Sequence, residues 1–214
     1  MRKNNLKKTY YMATLGCPKN EVDSEGLGAD LISVGLKSID DPGQADLLLV
    51  NSCAFIEDAK VETLDTVFGL HKIRKKGSTL VLCGCLPARY NIGAQLAEVD
   101  LFLGSKDHAQ LIERLNQLGW NLENHKSKPP RLVPKLPYSY LKISEGCDNR
   151  CSYCAIPDIK GQFRSKPLSE ILGEAEYIDS KNVRELILIG QDTTLFGTDN
   201  NAGHSLAGLL KELS

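Results

Sequence analysis

No apolar run in this 214-residue chain approaches the roughly 20 residues needed to cross a bilayer. The basic opening, MRKNNLKKTYYM, is not followed by the apolar core of a secretory signal. An excess of either charge sign is missing too, with 26 Lys and Arg against 27 Asp and Glu. The net charge of −1 demands neither nucleic acid nor an anionic membrane as partner. The four histidines, at 71, 108, 125 and 204, share no motif, and no internal repeat stands out. These absences set the expectation of a cytoplasmic protein with no membrane partner. What the chain does have is cysteine, at 17, 53, 83, 85, 147, 151 and 154. In a reducing compartment such a set points to metal binding or chemistry rather than disulfides, and an odd count leaves one thiol over in any pairing scheme. With 42% hydrophobic and 25% charged residues, the composition is that of a globular chain.

Residues 9 to 118 read as alternating strands and helices. TYYMATL, ADLLLV, STLVLCGC and DLFLG are strand-like runs. A helix is expected from Asn20 to Val34, with Gly35 at its C′ position. Others are expected over 55 to 75, over 87 to 99 and from His108 onward. This alternation predicts an α/β fold built on a mostly parallel sheet. Residues 120 to 137 are polar, basic and proline-rich, and read as a linker. Its cations, Lys126, Lys128, Arg131 and Lys135, read as a solvated connector. From Tyr138 a second unit begins: YSYLKISEG as strand, a cysteine loop, PLSEILGEAEYIDS as helix, RELILIG as strand, and HSLAGLLKEL as the start of a helix. A complete βα barrel needs about 250 residues, and 77 remain here. The expectation is therefore an N-terminal domain over 1–119, a linker over 120–137, and over 138–214 the first βα units of a truncated barrel.

The loop SEGCDNRCSYCAIP places Cys147, Cys151 and Cys154 at C-x3-C-x2-C spacing directly after a strand. Three thiolates can each ligate one iron of a four-iron, four-sulfur cubane, leaving the fourth iron open to a ligand; most electron-transfer cubanes have four cysteines instead. The competing reading is structural zinc, which needs a fourth ligand from elsewhere in the chain. Cys17, Cys53 and Cys85 follow three different strands. In a parallel sheet the carboxyl ends share one edge, so these thiols are expected to converge there. The bland alternative is three buried cysteines that coincide by accident. Cys83 falls within the strand before Cys85, on the same face by period two, and reads as core.

The spacing and placement of Cys147, Cys151 and Cys154 resemble the cluster loop of the radical S-adenosylmethionine (SAM) superfamily. LGCPKNEVDSE, VNSCAFIEDAKVE and CGCLPARY precede it in one order, and the whole resembles the methylthiotransferase family from about residue 9 onward. The resemblance implies two 4Fe-4S clusters, one held by Cys17, Cys53 and Cys85 and one by Cys147, Cys151 and Cys154, with S-adenosyl-L-methionine on the second. It implies that Tyr153 lies near the adenine and that Gly190, Gln191 and Asp192 contact the methionine part. For these three an ordinary turn capped by Asp192 or Thr193 is an equal reading. Arg164 and Ser165 are expected near the substrate or cofactor loop. Asn20, Asp23 and Ser24 read as helix caps; Asn51 and Ser52 read first as turn residues, with orientation of the auxiliary cluster loop by hydrogen bonds as the second reading.

Within that family the flanking motifs look most like the protein-modifying branch. Its substrate is the β-carbon of an aspartate in small-subunit ribosomal protein S-twelve, and its electron donor is of the flavodoxin or ferredoxin kind. Modification of a tRNA adenosine is the alternative within the family, and a non-enzymatic iron–sulfur or zinc module is the alternative outside it. A chain ending inside the barrel is expected to bind clusters yet turn over poorly.

Overall fold

A computed structural model describes residues 8–93, 95–123, 129–199 and 203–214. His125, Lys126 and Lys128 of the basic stretch lie outside the described residues. The chain divides into two compact units, Met1–Arg131 and Leu132–Ser214.

The first unit is a five-stranded sheet in the order β2-β1-β3-β4-β5, parallel throughout. Its strands are β1 (Thr9–Thr14), β2 (Lys37–Ser38), β3 (Leu47–Ser52), β4 (Thr79–Gly84) and β5 (Leu101–Gly104). Every residue of β3 is buried, as an interior parallel strand covered on both faces must be. That is why ADLLLV reads as a continuous apolar run rather than an alternating one. The two-residue edge strand β2, exposed at both positions, carries no such pattern and was not legible in the sequence. Three helices connect the strands, α1 (Pro18–Ser33), α2 (Glu57–Ile73) and α3 (Cys85–Arg89), and α4 (Leu111–Gln117) follows β5. Helix α1 starts with Pro18 in its first turn, where a missing N–H costs nothing. It ends before Gly35, whose φ of +91° closes the helix as expected. Leu27, Leu31, Leu47, Leu49, Val81 and Leu103 form the core with Trp120.

The helix expected over 87–99 is much shorter. It begins at Cys85 and stops at Arg89, and residues 90–93 and 95–100 run as turns and coil. Asn91 and Gly93 favour turns, and Leu96 and Val99 are buried without helical hydrogen bonding. Apolar spacing alone imitated a helix there. Trp120 and Arg131, both inside the stretch read as linker, are buried against the first unit. Trp120 donates its indole N–H to Thr79, and Arg131 pairs with Glu25 of α1.

In the second unit β6 (Tyr138–Lys142) pairs in parallel with β9 (Glu185–Ile189). A short antiparallel pair joins β7 (Ser144–Glu145) to β8 (Arg164–Ser165). The helices are α5 (Ile156–Lys160), α6 (Leu168–Asp179) and α7 (Leu206–Glu212). Ile171 and Ile178, seven apart on α6, pack with Leu141, Ile143, Phe196 and Leu209 into a separate core.

Candidate functional site: two three-cysteine edges

In the first unit, β1, β3 and β4 are adjacent and parallel, so their carboxyl ends form one edge. Cys17 is the N-cap residue of α1, Cys53 follows β3 directly, and Cys85 opens α3 directly after β4. The structure brings the three segments together. A β-carbon built on Gly16 would stand 2.6 Å from Cys53 Cβ and 2.9 Å from its Sγ, and the φ of +92° at Gly16 is open chiefly to glycine. Cys85 Sγ donates to Asn20 Oδ1 at 3.9 Å.

Cys83 and Cys85 do not share a face. Gly84 has φ 93° and ψ −142°, which ends the strand and swings Cys85 into α3. Cys83 stays behind in the apolar core at 0% exposure. Period-two reasoning holds only while the chain remains extended, and Gly84 ends that.

The polar residues around these thiols differ from their sequence reading. Asn20 and Ser24 do not cap α1, since its N-cap makes no side-chain hydrogen bond. They are buried instead, with Asn51 and Ser52 beside them inside β3. Asn51 Nδ2 donates to Asn20 O and to Ser24 Oγ. Ser52 Oγ donates to Cys83 O and accepts from Leu86 N. The sequence reads Asn20 and Ser24 as caps and Asn51 and Ser52 first as turn residues because short polar side chains at element ends usually serve there.

In the second unit the edge lies beyond β6 and β9. Cys147, Cys151 and Cys154 line a cavity of about 640 Å³, together with Arg150, Asp158 and Gln162. That volume falls in the range of small-molecule sites. The loop is tied down at both ends. Cys147 N donates to Gly161 O, and Phe163 N donates to Asp148 Oδ1. A tight turn donates Cys154 N to Cys151 O. Cys147 is buried and Cys151 exposed. Tyr153 is 85% exposed.

The segment after β9 is bound to this loop. Gly190 packs close to β7: a β-carbon there would meet Ser144 Oγ at 2.5 Å and require that hydroxyl to turn away. Gln191 Nε2 donates to Glu145 Oε1, and Asn149 Nδ2 donates to Asp192 Oδ2. Glu145 also pairs with Lys142 and, at 3.6 Å, with the nearly buried Lys160 of α5. Sequence reading missed Glu145 and Lys160; an acidic residue two before the first cysteine was the only signal. Asp192 caps the turn at Thr193–Leu195, and the bonds from Thr194, joined by that from Asn149, hold its carboxyl below the usual range. Ser165 is tied to Asp199 and Gly197 rather than to the cysteine loop.

Among the described residues, no three His, Cys, Asp or Glu side chains stand close enough to share one metal ion. The donor set in the second unit, three thiols on a tethered loop beside a cavity, suits a 4Fe-4S cubane with one thiolate on each of three irons.

Residues 9–104 match the description "Uncharacterized protein family UPF0004", and residues 141–208 match "Radical SAM superfamily". The chain is 43% identical to a ribosomal protein uS12 methylthiotransferase RimO of Syntrophus aciditrophicus, over 96% of this chain and 49% of the relative. It is 40% identical to the protein of that name from Desulfosudis oleivorans, over 95% and 50%, and 36% identical to that from Desulfitobacterium hafniense, over 98% and 50%. The chain belongs to the radical SAM methylthiotransferase family. It spans about half the length of the curated relatives it matches. The two matched regions divide the cysteines, with Cys17, Cys53 and Cys85 in the first and Cys147, Cys151 and Cys154 in the second. No helix among the described residues is long and apolar enough to cross a membrane.

Proposed function

We propose that this chain carries the cluster-binding portion of a cytoplasmic methylthiotransferase that adds a methylthio group to the β-carbon of an aspartate in ribosomal protein uS12. The observation that carries the reading is the pair of three-cysteine sets, each at the carboxyl edge of a parallel sheet, in a chain whose relatives bear that enzyme's name.

Cys147, Cys151 and Cys154 would hold one 4Fe-4S cluster, and Cys17, Cys53 and Cys85 a second. When bound, the first supplies the electron for reductive cleavage of S-adenosyl-L-methionine, and the second supplies the sulfur. The chain's own residues shape the cavity around that chemistry. Three-cysteine ligation at each site would leave one iron without a protein ligand. Gly190 lets the backbone after β9 pack close against Ser144. Glu145 and Asn149 hold Gln191 and Asp192 toward the cysteine loop, where the methionine part of the cofactor would lie. Tyr153, exposed on the loop, is free to cover the adenine. The exposed Cys151 leaves an approach for an electron donor of the flavodoxin or ferredoxin kind.

Anaerobic iron and sulfide quantitation with electron paramagnetic resonance tests the reading. We expect about eight irons per chain, falling to about four when Cys147, Cys151 and Cys154 are all changed to Ala. Zinc in place of iron would sink it. Incubation with uS12 and with tRNA, followed by mass spectrometry, decides the substrate; a methylthio group on tRNA alone would overturn the ribosomal assignment.

A further inference from the structure

One side chain touches all three cysteine segments of the first unit. Asn20 is 1% exposed. Its Nδ2 donates to Leu15 O, in the Cys17 loop, and to Ser52 O, just before Cys53, each at 2.9 Å. Its Oδ1 accepts from Cys85 Sγ. Its backbone joins the same frame: the N–H donates to Cys17 O, and the carbonyl accepts from Asn51. Both amide hydrogens are committed to carbonyl oxygens. Turning the amide over would set its oxygen against two other oxygens, so the hydrogen bonds fix which end faces Cys85. Asparagine is a poor helix former whose usual return is capping. Here it lies inside α1 and caps nothing. Its return is in tertiary bonds, up to 65 residues apart in sequence.

We propose that Asn20 is the positioning residue of the first cysteine set, holding the segments of Cys17, Cys53 and Cys85 at the separation a cluster needs. This rests on the reading that those cysteines hold a 4Fe-4S cluster. Without the amide, two buried carbonyls lose a donor and the three segments lose their common tie. Groups that orient metal ligands in this way typically carry 10- to 100-fold in metal affinity. Ser24 supplies the control. It is buried in the same network and accepts from Thr14 and Asn51, in the strands that lead to Cys17 and Cys53, yet its side chain makes no bond to residues 15–17, 52–53 or 85.

The experiment uses the chain with Cys147, Cys151 and Cys154 changed to Ala, so that only the first site is loaded. Asn20→Ala, Asn20→Asp, Asn20→Gln and Ser24→Ala are added to this parent. Each is reconstituted with iron and sulfide, challenged with a ferrous chelator, and followed by iron release, paramagnetic resonance and thermal unfolding. We expect Asn20→Ala to unfold near Ser24→Ala but to release iron about 10- to 100-fold faster than it does. Asn20→Asp sets a second oxygen against the Leu15 and Ser52 carbonyls and should release iron at least as fast as Asn20→Ala; Asn20→Gln, which keeps the amide but moves it one methylene further out, decides the matter by releasing iron faster than the parent if neither folds. Iron release and resonance spectra equal to the parent in a folded Asn20 variant, or equal losses in Ser24→Ala, would overturn the proposal with the cluster reading intact. A parent that takes up no iron would overturn both.

Discussion

Gly146 and Gly173 show how differently one residue type can be used. Gly146 has φ +74°, and a β-carbon there would lie 2.1 Å from Gln162 O and 2.6 Å from Gly161 O. It lets the chain entering Cys147 pass against the exit from α5. Gly146→Ala combines a left-handed backbone with a backbone clash, and should cost about 2–4 kcal/mol in urea unfolding. Gly173 lies inside α6, exposed, with nothing within 4 Å of its β-carbon position. Gly173→Ala should instead stabilise the chain by about 0.5–1 kcal/mol by the same measurement. The two glycines look alike in sequence, and only the neighbours set the opposite signs.

At the scale of elements, hydrogen bonds between neighbouring segments place the cysteines. Thr63 of α2 is fully buried, and its hydroxyl lies within hydrogen-bond distance of Cys53 O at 2.9 Å and Ala59 O at 2.8 Å. Thr63→Val keeps the shape and removes the donor; it should cost about 1–2 kcal/mol in urea unfolding. It should also speed alkylation of Cys53 in the metal-free chain, read by mass spectrometry of the labelled peptide. At the opposite end of the sheet, Asp46 accepts from Thr9 N and Oγ1 and pairs with Lys75. Burial pushes its carboxyl upward, but the bonds from Lys75 and Thr9 outweigh it, so the group sits below its ordinary value. A carboxylate with a lowered folded pKa adds stability that is present above the unfolded pKa near 4 and is lost as pH falls through the folded value. Asp46→Asn should therefore cost about 1 kcal/mol at pH 7, with the gap to the parent closing below about pH 4 in urea titrations.

At the scale of the whole molecule, each unit has a core of its own, one around Leu31, Leu49 and Trp120 and one around Leu141, Ile171 and Phe196. Residues 1–131 expressed alone should unfold cooperatively and take up about four irons; a chain that is unfolded by circular dichroism would count against independent units. The sequence by itself determined the α/β alternation, because strand and helix periodicities are local. It also determined the cysteine spacing after β6, because the three thiols of that loop lie within eight consecutive residues. Tertiary structure alone decided that Cys83 and Cys85 do not share a face, since Gly84 at φ 93° ends the strand between them. It decided that the helix expected over 87–99 ends at Arg89, where the apolar Leu96 and Val99 are buried by coil. It also decided that Asn20 binds three segments rather than capping its helix. Those partners lie 5, 32 and 65 residues away. Period and propensity extend only over near neighbours, whereas a buried amide takes its partners from whatever the parallel sheet brings alongside.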